Sequence, residues 1–318
     1  MKSIEICAGA GGQALGLEQA GFEHVALVEI EKAACETLRF NRPGWKVLNM
    51  DLHFFDGTEY RNQNIDLLAG GVPCPPFSMA GHQLGENDDR DLFPEALRLV
   101  EEIKPKAVML ENVRGLFSSK FDDYRRSIEN WLHEHGYETD WRLINSSDFG
   151  VPQLRPRTIL VAMKPEYYKH FNWPDPVKKV KTVGEVLYDD MASQGWLFAE
   201  KWKEMANDIA PTLVGGSKKH GGADLGPTRA KKKWAELYVD GKGLADKPPI
   251  NGYTGMPRLT VGMTAKIQGF PASWQITGKK TPAYRQVGNA FPPPVAKAFG
   301  EKIMKAIKDG EKELRSQR

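Results

Sequence analysis

Cysteine is scarce in this chain of 318 residues, which holds only Cys7, Cys35 and Cys74. No two of them form a CxxC pair, which argues against a disulfide framework or a thiolate zinc site, and we expect no metal. The odd count suits a reducing compartment, so the expected location is the cytoplasm. Long apolar runs are absent too: none approaches the ~18 residues that span a bilayer, so no membrane partner is expected. The opening MKSIEICAGAGG is interrupted by Glu5 and does not read as a secretory signal. An excess of one charge is missing as well, since 44 basic and 41 acidic residues leave a net +3. There are no internal repeats. What is present is 41% hydrophobic and 27% charged residues. That is enough apolar material for a buried core and excludes a wholly disordered chain. The length suggests about two domains, or one large domain with an insertion.

The first half alternates β-branched apolar runs with helical patterns. Strands are expected at Ser3–Cys7, Val25–Ile30, Val47–Met50, Ile65–Ala69 and Ala107–Glu111, then near Thr139–Ile144 and Thr158–Met163. Helices fall between them, including Pro94–Ile103 and Asp122–Gly136. This alternation predicts an α/β fold, a mainly parallel sheet with helices on both faces. From about 175 to 257 the chain is rich in Gly, Pro and Lys without clear periodicity. Regular structure returns at Leu259–Ile267, and a final helix from Pro294 to about Ile307 puts Val295, Phe299 and Ile303 on one face. The irregular section reads as a second, smaller domain. It also holds the one charge asymmetry: between Gly215 and Ala235 stand Lys218, Lys219, Arg229, Lys231, Lys232 and Lys233 against a single acid, Asp224. Such a patch suits a polyanion, or is a solvated loop.

The first strand runs into Ala8-Gly9-Ala10-Gly11-Gly12 and then a helix. Glycines let a backbone turn tightly against a ligand, and a helix N-terminus favours negative groups. Glu29 ends the second strand 20 residues after Gly9, where a carboxylate can accept from ribose hydroxyls. Asp51 ends the third, as a ligand-binding or a turn-capping residue. This pattern fits a nicotinamide dinucleotide and S-adenosylmethionine almost equally.

The fourth strand ends in GGVPCPPFS at 70–78. A lone cysteine is usually core, but Cys74 stands between prolines at a strand's carboxyl end, where a stiff backbone would hold its thiol beside the cofactor. A thiolate there would be a nucleophile. The fifth strand ends in Glu111-Asn112-Val113, and a desolvated carboxyl at Glu111 would serve as acid or hydrogen-bond donor. Arg155 and Arg157, at i and i+2 of an extended segment, share a face and could hold an anion, a base edge or Glu111.

Taken together, the chain resembles the DNA (cytosine-5) methyltransferases of bacterial restriction-modification systems. The matching blocks run in that family's order: CAGAGG at 7–12, Glu29, Asp51, GGVPCPPFS, ENV at 111–113, QLRPR at 153–157, LTVGMTAKIQGFP at 259–271 and QVGNAFPPP at 286–294. The resemblance covers roughly 1–165 and 258–305. It implies a Rossmann-like fold that binds S-adenosylmethionine, with a catalytic part over 1–175 completed by 284–318 and a target-recognition domain over 176–283. It implies methyl transfer to C5 of a cytosine flipped out of double-stranded DNA, through a covalent bond from Cys74 to C6, by a monomer on DNA that a separate restriction endonuclease accompanies. Glu111 would contact N3 and the exocyclic amine, and Arg157 would contact O2, with Arg155 beside it. Cys7, Ala8, Gly9, Gly11, Gly12, Glu29, Ile30, Asp51, Leu52, Pro73, Leu92, Asn289 and Ala290 would hold the cofactor. Ser78, Gln83 and Arg90 would touch DNA, as would Lys218, Lys219, Arg229, Lys231 and Lys232, with Arg229 the candidate base reader.

Four departures from the family pattern, covering five positions, stand out. Cys7 stands for Phe, Pro75 for Gln, Pro156 for Glu, and Gly262-Met263 for Arg-Glu, the last removing an expected ion pair. Three other readings remain open on these residues: a tRNA methyltransferase with the same chemistry, a DNA-binding module without catalysis, and a nicotinamide-dependent dehydrogenase. The dehydrogenase reading leaves GGVPCPPFS and QLRPR unexplained.

Overall fold

The computed structural model describes residues 1–73, 91–215 and 222–317. The strands are β1 (Lys2–Ile6), β2 (Glu23–Glu29), β3 (Val47–Asn49), β4 (Leu67–Gly70), β5 (Ala107–Val113), β6 (Glu138–Asn145) and β7 (Pro156–Met163). They form one sheet in the order β3-β2-β1-β4-β5-β7-β6. β1 to β5 pair in parallel, while β7 runs against both its neighbours, β5 and β6. The alternation expected from sequence is therefore present, with one reversed strand near the edge.

Helices α1 (Gly12–Ala20), α2 (Lys32–Asn41), α3 (Phe93–Ile103) and α4 (Asp122–Glu134) follow β1, β2, β4 and β5. Strand residues alternate between two apolar layers. Leu68, Val108 and Leu110 pack with Phe93, Leu99 and Leu132, whereas Leu67, Ala69 and Met109 face Val295, Phe299 and Ile303. Coverage of both faces explains why β4 is buried throughout and reads as a continuous apolar run. The chain passes from β1 outward to β2 and β3, then returns to β4 beside β1. A crevice therefore opens beyond the carboxyl ends of β1 and β4, where ligands of open α/β sheets bind.

Beyond β7 come α5 (Pro165–Tyr168), α6 (Val183–Ala192), α7 (Ala199–Met205), α8 (Thr228–Glu236), α9 (Val261–Ile267), α10 (Lys280–Asn289) and α11 (Pro293–Ser316). The described residues of the section without clear periodicity thus contain three helices, α6, α7 and α8. They are seven to ten residues long, too short for a 3.6-residue period to stand out. Their signals are local. α6 opens on a capping box, in which Glu185 N–H donates to Thr182 Oγ1 and Thr182 N–H to the Glu185 carboxylate (3.3 and 2.8 Å). α7 and α8 are anchored by the fully buried Trp202 and Trp234. These tryptophans share one apolar core with Ala10, Leu27 and Leu38 of the first half.

Trp274 joins the two parts, its Nε1 donating to the Ala10 carbonyl (3.1 Å). In α9, Met263 takes the place of the expected acid: Thr260 Oγ1 accepts from Met263 N–H, and Thr260 N–H approaches the Met263 sulfur at 3.3 Å. An ion pair still ties α9 to α6, because Lys266 Nζ reaches both oxygens of Asp190 (2.8 and 2.7 Å).

Candidate active site

The carboxyl ends of the first four strands, the start of α2 and one face of α10 enclose a cavity of about 440 Å³. Ten of the residues expected to hold a cofactor line it: Cys7, Gly9, Glu29, Ile30, Asp51, Leu52, Pro73, Leu92, Asn289 and Ala290. Ala8, Gly11 and Gly12 do not. Ala8 N–H donates to Val28 O as β1 ends (3.1 Å). Gly11 has a φ of 82° as the residue capping α1, and a Cβ there would stand 2.5 Å from Leu38 Cδ2. A Cβ on Gly12 would stand 2.1 Å from the Phe291 carbonyl oxygen. These glycines let the turn pack against α2 and the segment before α11, behind the cavity wall.

Glu29 is held by the backbone. Its Oε2 accepts from Gly9 N–H and its Oε1 from Glu31 N–H, each at 2.7 Å. Burial raises its pKa in spite of these bonds. Beside it Cys7 sits in the left-handed region, with φ 52°. Burial pushes its thiol far up, and the nearby Glu29 adds to this. Burial also pushes Cys35 up to about 11, and its Sγ donates to the Glu29 carbonyl (3.3 Å). Burial thus disfavours the thiolate form in both described thiols, which a nucleophile would need.

Asp51 caps a turn and lines the cavity at once. Its Oδ1 accepts from His53 N–H (3.1 Å) and from His53 Nδ1 (2.7 Å). The hydrogen bond from His53 lowers the Asp51 pKa, and the same bond raises that of His53 above its ordinary 6.5. The pair's stabilising contribution is therefore present above the depressed Asp51 pKa. It is lost as pH rises through the elevated His53 pKa. An NMR titration should place His53 above 6.5 in the wild type, and Asp51→Asn should bring it down. An unmoved midpoint in the variant would show that the two side chains do not pair in solution.

The segment leading to the PC motif is fixed from two sides. Asn112 Nδ2 donates to Val72 O (2.9 Å), and Leu92 N–H donates to Pro73 O (3.2 Å). Cys74, Ser78, Gln83 and Arg90 lie outside the described residues, as do Lys218 and Lys219. Glu111 faces this segment, since a Cβ on Gly71 would stand 3.1 Å from Glu111 Oε2. Across the β5–β7 pair, Arg157 Nε meets Glu111 Oε1 at 2.6 Å, with both side chains only 12% exposed. Of the options left open by sequence, Arg157 thus holds Glu111.

Arg155 does something different. It is fully buried, lines no part of the cavity, and donates to three backbone carbonyls: Leu213 (2.8 Å), Gly288 (2.7 Å) and Ala290 (3.1 Å). Gln153 works beside it, with Oε1 accepting from Leu213 N–H and Nε2 donating to Gln268 Oε1, each at 2.8 Å. Burial, with Arg157 nearby, pulls the Arg155 pKa well below the ordinary guanidinium value. The first half of QLRPR therefore stitches β7 to the segment after α7 and to the end of α10, while the second half reaches Glu111.

Sequence reasoning missed part of the cavity wall, notably Met50, Gly71, Pro282, Arg285 and Gln286. Three of these lie on α10, where Pro282, Arg285 and Asn289 are three and four residues apart and share a face. Recognising that helix would have found them.

In the basic patch, Lys231 pairs with Asp224 (2.8 Å) and Lys233 with Glu236 (2.7 Å). Arg229 and Lys232 are exposed on α8 without an ion pair among the described residues. Among the described residues no three metal-ligand side chains cluster, and no helix is long and apolar enough to cross a membrane.

The profile of the C-5 cytosine-specific DNA methylases matches residues 1–305. The chain is 56% identical over 310 residues to the type II methyltransferase M.NgoMIV of Neisseria gonorrhoeae, covering 96% of this chain and 98% of that one. It is 54% identical over 313 residues to M.NaeI of Lentzea aerocolonigenes, covering 96% and 75%. A crystal structure of Spodoptera frugiperda DNMT2 superimposes with a TM-score of 0.67 at 19% identity, over 95% of this chain and 99% of that one, which shows a shared fold. Fold, buried glutamate–arginine pair and sequence match point the same way, and the chain belongs to the C-5 cytosine-specific DNA methylases.

Proposed function

We propose that the cavity binds S-adenosylmethionine and that Cys74, Glu111 and Arg157 form the site for a cytosine flipped from double-stranded DNA. One observation carries this reading. Pro73, the residue before Cys74, lines the cofactor cavity, while Gly71 of the same segment lies against Glu111, itself paired with Arg157. Cofactor wall, nucleophile segment and base-binding carboxyl therefore meet along three residues of chain.

The donor set fits the cofactor. Glu29 and Asp51 are acceptors for ribose hydroxyls and an exocyclic amine, and their negative charge suits a ligand carrying sulfonium and ammonium groups. When bound, the cofactor supplies an electrophilic methyl group. The protein does the rest. Cys74 Sγ, as thiolate, adds to C6 of the cytosine, and the electron pair moves to C5, which takes the methyl. Glu111, beside N3 and the exocyclic amine, offsets the charge that develops on the ring. Arg157 orients Glu111 and reaches toward O2. Loss of the C5 proton to a base then expels the thiolate and restores the ring.

The relatives named type II methyltransferases support a role in restriction-modification, and to that reading belong a cytoplasmic location and a separate endonuclease. We assign target recognition to residues 176–283 and binding of DNA to a monomer. Radiolabelled methyl transfer to plasmid DNA and to total tRNA tests the substrate, with bisulfite sequencing to locate the product. Label in tRNA alone would overturn the DNA reading.

Among the described residues of the patch, Arg229 and Lys232 are the cations without an ion pair, one helical turn apart, and are the better candidates for phosphate binding. Changing both to Ala should reduce the salt slope of DNA binding by about 0.9 for each phosphate that is no longer neutralised. Lys231→Ala should leave the slope nearly unchanged, because that charge is already neutralised by Asp224. Equal slopes in wild type and double variant would place α8 away from the DNA.

A further inference from the structure

Charge is unevenly spread around the cofactor cavity. Glu29 and Asp51 stand at the strand ends, and Arg285 stands across from them on α10. Among the described lining residues Arg285 is the sole cation. It is half-buried, and its guanidinium has no hydrogen bond or ion pair among the described residues.

Its backbone is held in place from both sides. Thr37 Oγ1 donates to Gln286 Oε1 (2.7 Å), and Gln286 Nε2 donates to Thr277 O (3.0 Å). One turn on, Arg155 holds the Gly288 carbonyl at 2.7 Å. A guanidinium on a fixed helix that lines a concave wall, with no acid paired to it among the described residues, is prepared for an anion from the ligand.

The chemistry of the ligand restricts which anion that is. The adenosine portion is uncharged, and the sulfonium and ammonium groups are positive. The α-carboxylate is the single negative group. We propose that Arg285 binds the α-carboxylate of the cofactor's amino-acid portion, so that the adenosine lies toward Glu29 and Asp51 and the amino-acid end toward α10. This inference rests on the cavity being the S-adenosylmethionine site. It adds a binding residue that fixes which way round the ligand lies, and hence where its methyl group points.

Decarboxylated S-adenosylmethionine keeps every other group and lacks this anion. Calorimetry should show the wild-type protein binding S-adenosylmethionine about tenfold more tightly than the decarboxylated compound, as expected for one charge-assisted pair. Arg285→Gln should lose about that factor for S-adenosylmethionine and little or nothing for the decarboxylated compound, which also reports that the variant is folded. Arg285→Lys should recover part of the loss. Equal weakening of both ligands by Arg285→Gln would make the residue structural and overturn the proposal, as would no weakening of either. A variant that keeps its ligand discrimination but loses affinity for plasmid DNA would put the guanidinium on a phosphate instead and also overturn it. If the wild type binds neither ligand, the cofactor assignment itself fails.

Discussion

Cys74→Ser should abolish methyl transfer, by about four orders of magnitude or more, while binding of DNA and cofactor persists. The reaction needs a soft nucleophile that is ionised near neutral pH and leaves readily at the end. A serine hydroxyl is neither. The two described cysteines cannot substitute, because burial raises both thiol pKa values, that of Cys35 to about 11. A duplex with 5-fluorocytosine at the target position separates chemistry from binding. With fluorine in place of the C5 proton, the last elimination stops and the protein stays attached. Wild-type protein should run as a covalent DNA adduct on a denaturing gel, and Cys74→Ser should not. An adduct that survives in the variant would assign the nucleophile elsewhere. No adduct with wild type on any methylated target would remove the covalent step altogether.

The largest effect on stability is expected at Arg155. Arg155→Met keeps the bulk of the chain but removes the donor to the carbonyls of Leu213, Gly288 and Ala290, of which Ala290 still accepts from Gln268 Nε2. Each buried carbonyl left unpaired costs about 1–3 kcal/mol, and relief from burying a charge offsets part of the total. A net loss of about 3 kcal/mol should lower Tm by roughly 5 °C in a chain of this length. Arg157→Met should show a different profile: melting falls as well, because Glu111 loses its partner, but the dominant effect is a large fall in kcat, because the pair stands at the site. Calorimetric melts of both variants, set beside methylation rates, check the assignment. If Arg155→Met melts within a degree of the wild type, the three carbonyls find other donors and the stitching role is wrong.

The pair of arginines shows where sequence reasoning stops. Their i, i+2 spacing on an extended segment correctly suggested a shared direction. It could not distinguish their partners, because these come from β5, from the segment after α7 and from α10, as far as 135 positions away. Glu29 and Asp51 were legible for the opposite reason. A carboxylate at the end of a parallel strand is brought to the ligand edge by the sheet itself, whatever the rest of the chain does. Met263 falls between these cases. It breaks the capping-box pattern in letters, yet its sulfur stands at the same place beside Thr260 N–H, and Lys266 with Asp190 supplies an ion pair that no motif announced.

Local pattern was enough for the parallel strands, the two-sided sheet, the acidic strand ends and the chain order of motifs. Each of these depends on residues close together in sequence or on the obligatory geometry of a strand. The division of labour between Arg155 and Arg157, the burial that raises the Cys7 pKa, the ion-paired lysines of α8 and an Arg285 without a partner among the described residues all required the folded chain. Charge and burial are set by neighbours in space, and those neighbours arrive from segments whose separation along the chain carries no record of their meeting.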